Sequence, residues 1–374
     1  MKMIHLMAKT SAPLLALLLL ATSCEKFRAT EDVTDTGGKG SLTVSFAFPQ
    51  ESVPQTKAVD TGETSDELNV IRVAALVYSG GSLETYEFSE GDWSPLSTLT
   101  MTLDNINPGS KTVRLVVNPP SDFDCTDYTT PAKLDAYKFD LDDEAGSYNL
   151  NLQMEGSGSC TVKTGQTASC DVTVTRICAR VRLVSVKNSA GSDITLQKAF
   201  LTNVPYYFSL SGGDETSSGG YNRQGRTGYT TNNIIDSSSD ADMPLLTYLD
   251  INSSVKSGDT YSLSYPEFYC YQNESTDIPA GWVSGKTTIE CTCLVVVASV
   301  GGTTYYYPVV LSADETGGTY GVERNKTYDV YLTIAGPGSD DPNKPVTGVS
   351  AKATIKISNW DVKKVNSIYD KSFK

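Results

Sequence analysis

Histidine is almost missing from this chain. The only one is His5, inside the first few residues. The rest of the sequence therefore offers no Ser-His-Asp or Cys-His machinery, no histidine general base and no ordinary zinc site. Basic residues are also scarce, with 30 Lys and Arg against 44 Asp and Glu and a formal net charge of -14. An acidic balance of that size argues against nucleic acid, whose phosphates call for a basic face. It also disfavours polybasic contact with a membrane, and it favours solubility. No stretch is apolar for the length of a membrane-spanning helix, and helical periodicity is sparse. Tryptophan occurs only three times, at Trp93, Trp282 and Trp360. Indoles can stack on sugars when exposed, but core or strand-edge positions are the commoner use.

The first residues have the layout of an export signal. Lys2 and Lys9 precede the apolar run Leu14 to Leu20, and Leu20-Ala21-Thr22-Ser23-Cys24 forms a lipobox. The sequence predicts cleavage before Cys24, acylation of its thiol and a lipid anchor at a bacterial membrane surface. Residues 1–23 carry two lysines and no acid, so without them the net charge of -14 becomes -16. Residues 24–40 are polar and contain glycine, as a flexible tether would.

Beyond the tether the pattern is β nearly throughout. Leu42–Phe48, Val70–Tyr78, Thr112–Asn118, Tyr148–Gln153, Cys170–Thr175 and Cys178–Val186 read as strands, as do Cys291–Val300, Thr304–Leu311, Thr327–Ile334 and Ala351–Ile357. They are rich in Val, Ile, Thr and Tyr, often with a period of two, and polar turns separate them. Such a series predicts an all-β fold of two tandem antiparallel sandwiches, residues 41–174 and 175–359. One short helix is expected within Thr129–Tyr137, capped near Thr130 with Pro131 at its start. Residues 212–244, rich in Ser, Thr, Gly, Asn and Asp, read as a long loop. No sequence repeat stands out.

Of the eight cysteines, acylation would consume Cys24 and leave an odd number, so at least one thiol stays free. Cys291-Thr292-Cys293 falls in an apolar strand-like run, where two thiols on one face suit core packing better than chelation. Cys160 and Cys170 flank a hairpin and could pair.

The last third resembles fimbrillin, the FimA-type major pilin family of Bacteroidales. The residues that carry the resemblance are Tyr305-Tyr306-Tyr307-Pro308-Val309-Val310, then Val322-Glu323-Arg324-Asn325-Lys326-Thr327-Tyr328-Asp329-Val330-Tyr331, then Gly336-Pro337-Gly338 and a closing strand that ends at Trp360. Arg176-Ile177-Cys178-Ala179-Arg180-Val181 is similar to the family segment that opens the second domain. The resemblance implies a transthyretin-like topology and a structural role without catalysis or cofactor. It also implies a mode of assembly in which a trypsin-like surface protease removes the first strand and another subunit's C-terminal tail fills the groove.

Carried onto this sequence, the removable segment is 41–57, with Leu42, Val44, Phe46 and Phe48 facing inward and cleavage between Lys57 and Ala58. Lysine stands where the family has arginine. The donor strand is the tail 360–374, with Trp360, Val362, Val365, Ile368, Tyr369 and Phe373 as its apolar side chains and Lys363-Lys364 interrupting their alternation. The expected partners are other copies of the chain, accessory fimbrial subunits, the processing protease, the outer membrane before processing, and host or bacterial receptors. The expected location is the outer-membrane surface and its fimbria.

Other candidate sites are weak. Asp140-Leu141-Asp142-Asp143-Glu144-Ala145-Gly146 lacks the Gly and Glu positions of a calcium loop and reads as an acidic turn. Asp236, Asp240 and Asp242 form no recognisable pattern, and no spacing singles out a glycosidase carboxylate pair. The rival functions are a tip or anchor subunit of the same system and a glycan-binding surface lipoprotein.

Overall fold

The computed structural model describes residues 38–47, 69–93, 98–140, 151–205, 207–210, 221–222, 248–263, 267–275, 291–311, 320–342, 346, 350–359 and 371–372. Residues from Lys39 onward form one compact unit.

The first sandwich is built from β1 (Gly40–Ala47), β2 (Arg72–Ser79), β3 (Ser82–Glu90), β4 (Thr98–Ile106), β5 (Gly109–Val117), β7 (Met154–Val162), β8 (Thr167–Thr173) and β9 (Thr175–Arg176). One sheet runs β4-β1-β8 and the other β3-β2-β5-β7-β9. Helix α1 (Pro131–Asp135) lies between β5 and a short strand β6 (Lys138–Asp140). The Thr130 hydroxyl accepts from the Lys133 N–H and Pro131 begins the helix, the capping expected from the sequence.

The second sandwich uses β10 (Cys178–Asn188), β11 (Ile194–Thr202), β12 (Val204–Pro205), β13 (Tyr207–Ser209), β14 (Tyr221–Asn222), β15 (Tyr248–Val255), β16 (Thr260–Ser262), β17 (Glu267–Tyr271), β18 (Asn273–Ser275), β19 (Cys293–Val300), β20 (Thr303–Val310), β21 (Tyr320–Val322), β22 (Lys326–Ile334) and β23 (Ala351–Asn359). One sheet runs β16-β10-β22-β23, with β17 also on β10, and the other runs β15-β11-β19-β20. The two sandwiches therefore share a strand order. β1, β2, β3, β4, β5, β7 and β8 stand in the first where β10, β11, β15, β16 with β17, β19, β20 and β22 stand in the second. This is a repeat of topology with no counterpart in the residues.

The all-β reading holds, with differences in detail. Each sandwich contains a parallel pairing of long strands, β1 with β8 and β10 with β22, among mostly antiparallel ladders. The strand expected at Tyr148–Gln153 is absent at residues 151–153. The chain enters its ladder at Met154, where alternation of small residues such as Gly156 and Gly158 hid a strand. Thr175–Arg176 pairs with Glu155 and Met154 of β7. Only Cys293 of the Cys291-Thr292-Cys293 run lies in a strand, and both thiols are buried.

Candidate functional site

β1 alternates apolar and hydroxylated residues, the pattern of a strand with one buried face. Leu42 and Val44 are fully buried and Phe46 is 2% exposed. On one side β1 pairs antiparallel with β4, placing Leu42, Val44 and Phe46 opposite Leu103, Met101 and Leu99. On the other it pairs in parallel with β8, placing them beside Ala168, Cys170 and Val172. The walls of the slot are therefore apolar, and all three inward side chains of β1 belong to the main hydrophobic core.

Polar contacts fix the two ends. Ser41 N–H donates to the Gln166 carbonyl at 3.0 Å, and the Ser41 and Thr167 hydroxyls lie 2.7 Å apart. Gly165 N–H donates to Lys39 O at 3.0 Å, and Val174 N–H to Ala47 O at 3.1 Å. Lys39 Nζ donates to the Asn107 side-chain oxygen. Gly40 allows this close approach, because a Cβ there would meet Lys163 O at 2.6 Å and Gln166 O at 2.8 Å. On area grounds the three inward side chains of β1 contribute roughly 5–9 kcal/mol of apolar burial.

The residues carrying the family resemblance serve a different purpose. Asn325 adopts a left-handed backbone (φ 56°) and its N–H donates to Cys178 O at 2.8 Å. Arg324 reaches out of the same turn to Glu155 of β7 at 3.0 Å, and Glu155 also faces Arg114 of β5 at 3.9 Å. The turn thus binds the second sandwich to the first. Burial raises the Tyr328 hydroxyl well above its usual range, and that hydroxyl accepts from Glu323 N–H at 2.8 Å. Tyr307 donates to the Gly336 carbonyl at 2.7 Å, and Ser339 bridges Tyr306. Gly338 has no room for a Cβ, which would lie 2.5 Å from Tyr306 O. The tyrosine strand and the Gly-Pro-Gly turn are therefore parts of one packed unit.

Leu42, Val44 and Phe46 are brought together in the slot. Cys24, Phe48, Lys57, Ala58, the apolar tail residues Trp360, Val362, Val365, Ile368, Tyr369 and Phe373, and the acidic segment 141–146 lie outside the described residues. So do Asp236, Asp240, Asp242, Trp282 and most of 212–244. Trp93 is half-buried against the core. Two residues near the C-terminus, β24 (Lys371–Ser372), pair in parallel with Leu99 and Thr100 on the edge of β4 away from β1, within their own chain. The groove walls Leu99, Met101 and Leu103 were missed in the sequence, although their alternation was there to read. Among the described residues no cluster of His, Cys, Asp and Glu could hold a metal ion.

Two linked sandwiches whose first strand lies between an antiparallel and a parallel neighbour define the fold class. Solved structures of the same fold come from Bacteroidales. A fimbrilin (FimA) of Porphyromonas gingivalis W83 matches with a TM-score of 0.58 and 16% identity over 87% of this chain and 99% of that one. A candidate cell adhesion protein of Bacteroides eggerthii gives 0.60 and 18% over 88% and 98%. The tip fimbrial protein Mfa3 of Porphyromonas gingivalis gives 0.51 and 16% over 86% and 100%. The chain has the fimbrilin fold. In sequence, 67 residues are 40% identical to the major fimbrium subunit FimA type-2 of Porphyromonas gingivalis, a match covering 15% of this chain and 17% of that protein. No family model matches.

Proposed function

We propose that the chain is a structural fimbrial subunit of the stalk type, exported as a lipoprotein through Cys24, cleaved between Lys57 and Ala58, and polymerised by exchange of its first strand. It is not an enzyme. The observation that carries the reading is the environment of β1, an eight-residue strand with a fully apolar inner face. Cleavage after Lys57 would free it from the covalent chain that leads to β2.

Loss of β1 would leave β4 and β8 with unpaired backbone edges and empty apolar positions for Leu42, Val44 and Phe46. Such a gap recruits another extended segment, with the backbone supplying affinity and alternate side chains supplying fit. The tail 360–374 offers large apolar residues for that purpose. Partners on this reading are further copies of the chain, accessory fimbrial subunits, a trypsin-like protease and a surface receptor.

The test is the N-terminus and intact mass of protein recovered from the cell surface, with unheated and heated samples run side by side. A chain that starts at Ala58 and an unheated ladder that collapses on heating are expected. A monomer still beginning at acylated Cys24 would overturn the stalk reading and leave the tip, anchor or glycan-binding alternatives.

A further inference from the structure

Among the described cysteines, two pairs of thiols face one another, Cys160 with Cys170 and Cys291 with Cys293, and all four are free in this structure. The second pair is two residues apart in sequence and fully buried, and bridging it would close a tiny ring. The first pair is different. Cys160 is in β7 of one sheet and Cys170 in β8 of the other, joined by the turn at residues 163–166.

Both cysteines point into the space between the sheets. Gly156, Gly158 and Cys160 lie on the inward face of β7, and Ala168, Cys170 and Val172 on the inward face of β8. Two glycines let β8 approach the β7 backbone. A Cβ on Gly158 would lie 2.8 Å from the Cys170 sulfur, and one on Gly156 would lie 2.5 Å from Thr173 O. The Cys170 sulfur therefore sits over the Gly158 backbone, two residues from Cys160 on the same face of β7. Cys160 is half-buried, so a reagent can reach it, while Cys170 is 2% exposed.

We propose that Cys160 and Cys170 form a disulfide that staples β8 to β7 across the corner of the first sandwich. The bond has a specific consequence at the β1 slot. In its sheet β8 is an edge strand whose neighbour is β1, with Cys170 in register with Val44. When β1 leaves, β8 loses its ladder, and the staple keeps the groove wall in place for the incoming strand. This second part rests on the assembly reading above; the bond itself does not.

The chemistry is thiol–disulfide exchange with a protein or small-molecule disulfide, available in the oxidising compartment an exported chain would enter. Burial raises both thiols. That of Cys170 goes to about 12, whereas at Cys160 the hydrogen bond from Cys170 and the charge of Lys111 offset part of the effect. Cys160, the more exposed of the two, is the thiol that the oxidant reaches, and its thiolate attacks the oxidant. A mixed disulfide forms at Cys160 and the first oxidant thiolate leaves. The Cys170 sulfur, giving up its proton, then attacks Cys160 and expels the second. Two protein thiols are oxidised and one oxidant disulfide is reduced to two thiols.

The experiment begins with exported protein alkylated without reductant and digested with trypsin, which cuts after Lys163 and separates the two cysteines. A linked peptide pair, two hydrogens lighter than the sum of its parts and split by reductant, is expected. Alkylated Cys160 and Cys170 in unreduced protein would overturn the bond. In the full chain, reductant should speed hydrogen exchange across residues 167–173 by about tenfold, and Cys160→Ser should reproduce this without reductant. Equal exchange with and without the bond would overturn the staple's part in holding the groove. A linked chain that never polymerises would overturn the assembly reading while leaving the bond standing.

Discussion

β1 and β10 occupy the same place in their two sandwiches and are held in opposite ways. Each is the first strand of its unit, antiparallel to one neighbour and parallel to a late strand on the other side. Beyond β22, however, β23 adds another strand of nine residues, whereas β8 ends its sheet. β10 carries charge into its packing. Arg180 is 1% exposed, and Arg182 grips Asp329 of β22 through two bonds of 2.6 and 2.7 Å. Asn188 closes its far end, donating to Ser192 O and Val255 O at 2.9 Å. β1 has an apolar inner face and hydroxyls outside. The chain between β10 and β11 is only residues 189–193, against 48–71 between β1 and β2. The same topology thus serves for a fastened strand and, on the proposed function, for an exchangeable one.

The comparison breaks most decisively with a buried charge. Val181→Asp in β10 should cost more than about 4 kcal/mol and prevent recovery of folded chain. Val44→Asp should expel β1 and leave the second sandwich folded, seen as two separate transitions in place of one on thermal unfolding. If both variants fail alike, the two strands are equally integral.

A smaller effect is expected for Gly158→Ala, whose methyl would press on the Cys170 sulfur and on Asp171 O at 3.2 Å. A loss of about 1–3 kcal/mol, confined to the first sandwich, should appear in denaturant unfolding. Arg182→Ala removes a paired, mostly buried guanidinium and leaves Asp329 exposed to the loss. A cost of about 1–3 kcal/mol is expected, appearing in the transition of the second sandwich.

The smallest effect comes from acid. Burial pushes the Glu84 carboxyl up, but Lys111 and the Asn107 N–H outweigh it and hold it below its ordinary value. A depressed folded value means that the stabilisation is complete above the unfolded value and is lost as pH falls through the folded one. Glu84→Gln should therefore be less stable than the parent at neutral pH, with the difference shrinking below pH 4.5. A pH-independent difference would remove Glu84 from the acid response.

Much of this architecture was legible in the residues. The alternation of β1 and β22 and the Thr130-Pro131 cap are local signals, and they appear where they were read. β4 alternates just as clearly through Leu99, Met101 and Leu103 but was overlooked between polar turns. β7 was displaced because Gly156 and Gly158 are inward-facing yet not hydrophobic; they are selected by the close approach of β8, a tertiary fact. The parallel pairings and the shared strand order depend on contacts far apart in sequence, which periodicity does not encode. At the candidate site, spacing alone showed that Leu42, Val44 and Phe46 share a face, their place in a removable strand came only from the resemblance, and the opposing walls required the fold.

The most direct test of an exchangeable β1 is reconstitution. Chain beginning at Ala58 would be mixed with a synthetic peptide of residues 360–374 and examined by size-exclusion chromatography and native mass spectrometry. A one-to-one complex that survives dilution, and that a peptide of residues 40–48 competes for, is the expected result. A truncated chain that binds neither peptide, or that binds only the 40–48 peptide, would contradict strand exchange through the tail.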